Sequence, residues 1–275
     1  MRSPRAVSPK PKWMEILPVA PEKLSLEELR SFRQFYDFIQ MKDMTAPATV
    51  TAAYRAFRFL YFYGAILLHE RRYASLNRCW DDLRARFSRF PAFEDGVFLE
   101  SWIFIDFPLD LTGRTVLDEF AAFCSSIPEA QAELGSFIEN ARRSRLGLHQ
   151  EIISTGRTTK YRELITGKVT STLRSVPEYE HGEIFLGRII ASGSDRFLLG
   201  DPKCFPPTKL DSLTSMVSRR LEGVPGDTIV EKYEFFMKHA GPYWMSCVCG
   251  EYDDEVLAPN HFRAYYDEAN PDVQR

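Results

Sequence analysis

Two of the five cysteines, Cys247 and Cys249, stand one residue apart, the spacing of half a zinc knuckle. A structural zinc ion closes its tetrahedron with four ligands. Downstream of this pair stand the acids Glu251, Asp253, Asp254 and Glu255 and a lone His261, but no second cysteine pair and no Cys-His pair. Two thiolates and one imidazole make three ligands at most, so no metal site is expected. A redox pair would more usually read Cys-x-x-Cys beside a βαβ unit. Cys79, Cys124 and Cys204 are far apart, and the odd total reads as reduced thiols in a cytoplasmic protein.

The histidines His69, His149, His181, His239 and His261 show no i, i+4 pair. The sequence contains no Gly-x-Ser-x-Gly elbow, no His-Glu-x-x-His helix and no Gly-x-x-x-x-Gly-Lys-Ser/Thr loop. A nucleophile–histidine–acid triad can still assemble from distant residues, which keeps a hydrolase open as a third reading. The dense acids Asp81-Asp82 and Asp253-Asp254-Glu255 read as solvated surface. The chemistry-bearing residues therefore lean away from an enzyme, and no cofactor is expected.

Charge is more informative. Between residues 51 and 90 lie Arg55, Arg58, Arg71, Arg72, Arg78, Arg84, Arg86 and Arg89, against Glu70, Asp81 and Asp82. From 94 to 140 ten acids face only Arg114. The planar guanidinium fork suits phosphate or carboxylate, so Arg71, Arg72, Arg78, Arg84, Arg86 and Arg89 are the candidate nucleic-acid contacts. The competing account has the two stretches packing together as salt bridges. A net charge of −3 over 275 residues, from 35 Lys+Arg and 38 Asp+Glu, favours that account. Arg142, Arg143 and Arg145 follow a helical stripe, where cations complement the C-terminal dipole and need no further role.

The elements that would position these groups change character along the chain. Residues 1–23, rich in Pro, Ser and Lys, read as a flexible leader without the apolar run of a secretory signal. A helical domain is expected over 24–145. Ser25 with Glu28 makes a capping box, and Leu29, Phe32, Tyr36 and Ile39 recur at helical spacing. Helices are then expected over about 49–72 and 75–87, and from Thr115 and Pro128 onward. Residues 96–107 (GVFLESWIFIDF) suit either strand or core helix, and their neighbours tilt the reading to helix. The longest apolar stretch is about ten residues, short of a membrane span.

From 146 to 205 the pattern becomes short β-rich runs, at 148–155, 159–165, 168–176, 183–191 and 196–199. The punctuation is Gly156, Thr166-Gly167, His181-Gly182, the run 192–195 (SGSD) and Gly200-Asp201-Pro202. Five such strands predict a small closed or half-closed barrel. Helical spacing returns over 206–275, with Leu210, Leu213, Val217 and Leu221 on one face, a helix over 227–240, and another near 259–269. The fold class is α+β: a helical N-terminal domain, a five-strand barrel-like module and C-terminal helices.

Several stretches carry a resemblance: Glu151 and Gly156, residues 161–167 (YRELITG), residues 181–190 (HGEIFLGRII), and Leu198 to Gly200 with Phe205-Pro206-Pro207. Upstream, residues 98–106 (FLESWIFID) and 113–117 (GRTVL) join them. Across about 95–207 the chain resembles bacterial proteins of the SEC-C-motif group, which implies a helical region paired with a small β module. The group's terminal metal knuckle is incomplete here, so its metal binding is not carried over.

The function expected from all this is a non-enzymatic cytoplasmic interaction or adaptor protein that presents a protein-binding surface. The alternative is a nucleic-acid-associated protein using the Arg-rich helices and the β module, since small barrels often hold single strands.

Overall fold

A computed structural model describes residues 25–31, 33, 36–37, 39, 48–87, 97–110, 112–173 and 183–239. The leader, Arg89, Cys247, Cys249, His261 and the helix expected near 259–269 lie outside the described residues. Those that are described form an α+β fold of eight α-helices and one curled antiparallel sheet, a half-barrel. No described helix is long and apolar enough to cross a membrane.

Helix α1 (Leu26–Arg30) starts on the expected capping box, with the Ser25 hydroxyl and the Glu28 carboxylate reciprocally bonding backbone N–H groups. It closes at Ser31, whose N–H donates to the Glu28 carbonyl, and the described residues Arg33, Tyr36 and Asp37 are helical again, in keeping with the apolar spacing. Leu29, Tyr36 and Ile39 are buried together. Helix α2 (Ala48–His69) is buried on most sides by Phe57, Phe59, Phe62 and Tyr63 and their neighbours. Gly64 lets it approach the next layer: a Cβ there would lie 2.5 Å from the Phe104 ring.

Helix α2 closes with the Arg72 N–H on the Leu67 carbonyl and the Arg71 N–H on the Leu68 carbonyl. This is a Schellman closure, whose left-handed position usually falls to glycine. Here Arg71 holds it at φ 51°, a strained conformation for a side-chain-bearing residue.

Helix α3 (Ala74–Phe87) follows, then α4 (Val97–Ile105), which settles the ambiguous apolar run as helix. Its flanking helices favour that outcome, because Trp102, Ile103, Phe104 and Ile105 are all buried, as a helix enclosed on several sides requires. Helix α5 (Val116–Ser125) begins at Thr115, whose side chain forms a second capping box with Asp118. Helix α6 (Pro128–Arg143) begins with Pro128 in the first turn and is followed by Ser144 as C-cap.

The sheet runs β1 (Leu146–Ser154), β2 (Thr158–Glu163), β3 (Val169–Leu173), β4 (Ile184–Ser192) and β5 (Asp195–Phe205), in the order β3-β2-β1-β4-β5. The edge strands β3 and β5 curl toward each other. Gly167 (φ 69°) and Gly193 (φ 60°) supply the positive φ of the two tight β2–β3 and β4–β5 connections.

One expected boundary is corrected. Residues 200–202 form no turn ending the strand at 199 but lie inside β5. Pairing with β4 passes from Arg188↔Leu199 to Leu186↔Lys203 across a bulge. A bulge leaves residues unpaired, so the missing N–H of Pro202 disrupts no ladder bond there.

Alternation along β1 and β4 divides the sheet's faces. Leu146, Leu148, Leu186 and Ile190 join the helices in one hydrophobic cluster that extends from Leu29 to Met237. Gly147, His149, Gly187, Ile189 and Ala191 consequently point to the other face, inside the curl. Helix α7 (Leu210–Leu221) and helix α8 (Ile229–His239) return over the molecule. Helix α8 is held by Trp102, whose Nε1–H donates to the Lys238 carbonyl at 2.7 Å, and by Tyr233, whose Oη accepts from the Leu148 N–H at 3.1 Å.

Candidate functional site

Inside the curl lies a pocket of about 510 Å³. Three basic residues converge on it from separate elements: Arg143 at the end of α6, Lys168 in the β2–β3 turn and Arg196 on β5. All three are exposed, and none has a carboxylate partner among the described residues. The uncharged lining is mainly hydroxyl and amide (Asn140, Ser144, Thr170, Ser171), with small aliphatic patches, and its one ring among the described residues is the imidazole of His149.

The wall behind these cations is a buried polar node. On β2, Glu163 grips the Arg145 guanidinium through both carboxylate oxygens, the Nη2–Oε2 contact being 3.1 Å. The same carboxylate accepts from the Thr166 hydroxyl. Burial alone would raise the Glu163 carboxyl, but the Arg145 bonds and charge outweigh it and hold the group below its ordinary value. The Arg145 guanidinium also stacks 4.9 Å above the Tyr233 ring and lies 3.6 Å from Glu234. Arg145 therefore does more than complement a helix dipole: it lies beyond α6 and ties the β module to α8.

Across the β1–β2 ladder from Glu163 stands His149. Its side chain lines the pocket while the residue is only 8% exposed. Burial pushes the imidazole down to about 4, so the ring is neutral near pH 7. A hydrogen bond to the Gly187 backbone favours an N–H on the ring, whereas Nε2 has no hydrogen-bond partner among the described residues. With the other nitrogen serving as donor, Nε2 is a bare acceptor. The ring rests against Gly147, where a Cβ would lie 2.6 Å from Nε2 and 2.9 Å from Glu163 Oε1.

The spatial triad envisaged for a hydrolase is not formed by these residues: a carboxylate is near, but no hydroxyl or thiol bonds Nε2. Cys79 and Cys124 are buried, and burial pushes the Cys124 thiol up to about 12, away from thiolate chemistry.

A second ionic node lies on the opposite, helix-packed face. Arg188 is fully buried and bonds the Asp106 carboxylate, with further bonds to the Ser144 hydroxyl at 3.0 Å and the Ser101 carbonyl at 3.4 Å. Burial pushes the Asp106 carboxyl up against the pull of Arg188. The arrangement docks β4 on α4 and on the end of α6.

The arginines selected from sequence are only partly gathered. Exposed Arg71 lies 3.4 Å from Asp81, and Arg72 lies 2.6 Å from Glu70. Arg78 is half-buried on α3 and Arg84 is exposed. Six residues apart on one helix, they sit roughly 120° around the axis from each other and share no face. The Arg86 backbone belongs to α3, but its side chain is outside the description, like Arg89. Arg58, from the same basic stretch, is buried and faces Glu100, whose carboxyl burial pushes up to about 7. That pair does join the basic and acidic stretches, whereas Arg71 and Arg72 are neutralised within their own. The pocket cations lie in neither stretch. Arg143 stood out in the sequence only as part of a helix-ending basic run, and Lys168 and Arg196 only by position beside turns, none of which reports convergence.

Comparison with protein-family models, curated proteins and solved structures finds no match to the chain.

Proposed function

We propose that this chain is a binding protein whose half-barrel pocket receives an anionic small molecule. The observation that carries this reading is the convergence of Arg143, Lys168 and Arg196 on one concavity, without carboxylate partners among the described residues. Glu163, the most buried acid of the wall, is already saturated by Arg145 and Thr166 and does not neutralise them. Glu234 also lines the pocket, 3.6 Å from Arg145, so four lining cations stand against two acids, and that surplus in a concave site focuses field toward an incoming anion.

Titration calorimetry with inorganic phosphate tests the reading. Binding should weaken as salt rises and vanish in a Lys168→Glu/Arg196→Glu variant that keeps its far-ultraviolet circular dichroism. Phosphate binding that is absent, or indifferent to this charge reversal, overturns it. Retention instead of a single-stranded oligonucleotide, lost on Arg84→Glu, would turn the assignment to the nucleic-acid reading.

The adaptor reading has one supporting feature. Ile229 and Val230, adjacent at the start of α8, are 52% and 42% exposed, a small apolar surface of the kind that partners cover, whereas Phe235 lies on another side of the helix. It predicts a native-cell partner released by Ile229→Ser with Val230→Ser, and it fails if capture is unchanged.

A further inference from the structure

Resting on the anionic-pocket reading, we propose the ligand's class: a phosphorylated polyol or sugar, with its phosphate at Arg143, Lys168 and Arg196 and a hydroxyl donating to His149 Nε2. Three features of the pocket select this class. The cations are exposed, whereas His149 is buried in the wall, so the site asks for an anionic end and a neutral end. The neutral end must donate. Nε2 is an acceptor in a ring whose Gly187 bond fixes its proton elsewhere, and a buried acceptor left unmatched is costly. Finally, Asn140, Thr170 and Ser171 offer hydroxyl and amide partners, and no Phe, Tyr or Trp stands among the described lining residues to stack on a nucleobase. A hydroxylated chain or ring satisfies such a wall, whereas a planar base would find only Val169, Ile189, Ala191 and the buried His149 ring to lie on.

The test compares inorganic phosphate with glycerol 3-phosphate, ribose 5-phosphate, glucose 6-phosphate, free ribose and adenosine monophosphate, by calorimetry on the full chain. At least one of the three polyol or sugar phosphates should bind about tenfold tighter than inorganic phosphate, the worth of matching one buried acceptor. Free ribose should not bind measurably. His149→Phe, which keeps a ring but no acceptor, should abolish the tenfold advantage and leave inorganic phosphate unaffected. His149→Gln, which can present an amide oxygen, should restore part of it.

Should His149→Phe fail to fold, the ¹⁵N resonance of Nε2 in the wild-type protein gives the same answer. It should move upfield on adding the preferred phosphate ester and stay in place with inorganic phosphate. Phosphate binding with no advantage for any ester, a tighter fit for adenosine monophosphate than for every ester, or an unmoved Nε2 resonance overturns the class while leaving the anionic pocket standing. Failure of phosphate itself to bind removes the pocket reading, and the two failures are thereby distinguished.

Discussion

Replacing His149 with glutamine should flatten the acid-induced loss of stability. In the folded chain burial holds the imidazole at about 4, whereas an unfolded histidine titrates near its ordinary value of about 6.5. Between these values the unfolded chain binds a proton that the folded chain refuses, so stability rises with pH across the interval. Descending from pH 7 to about pH 4.5, this single group should cost the wild type about 2.5 kcal/mol. Nearby charges are included in that depressed value: Glu163 favours the imidazolium, and Arg145 opposes it.

Glutamine carries no titrating group, so its unfolding free energy should lose about 2.5 kcal/mol less over the same range, whatever its absolute stability. Urea unfolding followed by tryptophan fluorescence, at half-unit steps of pH on both proteins, measures the difference. Parallel curves from pH 7 to about 4.5 would refute the reasoning, because they would mean that His149 takes up its proton equally in both states.

Other perturbations test the scaffold. Asp106→Ala leaves the fully buried Arg188 without its counter-ion and should cost about 3–5 kcal/mol; a thermal midpoint lowered by only a degree or two would contradict this. Gly64→Ala pushes a methyl against the Phe104 ring and should destabilise by about 1–3 kcal/mol. Combining it with Phe104→Leu should recover much of that loss in urea titrations, and a purely additive pair would argue against direct contact. Arg71→Gly relieves the left-handed residue closing α2, at the expense of one exposed ion pair, and should stabilise by about 0.5–1 kcal/mol. A lowered urea midpoint would show that Arg71 contributes more than its backbone costs.

Local chemistry was legible in the sequence because it acts over a few residues. Ser25 with Glu28, and Thr115, announced helix starts through bonds that span one turn. Gly167 and Gly193 marked tight connections because few other residues take positive φ without strain. The switch from helical to alternating apolar spacing at 146 placed the sheet. Within it, the stretch 200–202 misled, since a Gly-Asp-Pro run reads the same in a turn and in a bulge, and only the pairing register of β4 distinguishes them.

The site belonged to the other category. His149, Glu163 and Tyr233 look unexceptional along the chain. Their depressed or raised proton affinities arise from burial and from Arg145, which curling of the sheet and docking of α8 bring to them. Nothing in the sequence singles out Arg188, yet strand alternation turns it toward Asp106 and the helices, where it is fully buried. Periodicity determined which side of each element faces inward. Which charges meet across elements was decided only by tertiary packing, because electrostatic partnership depends on distance and burial in space and not on separation along the chain.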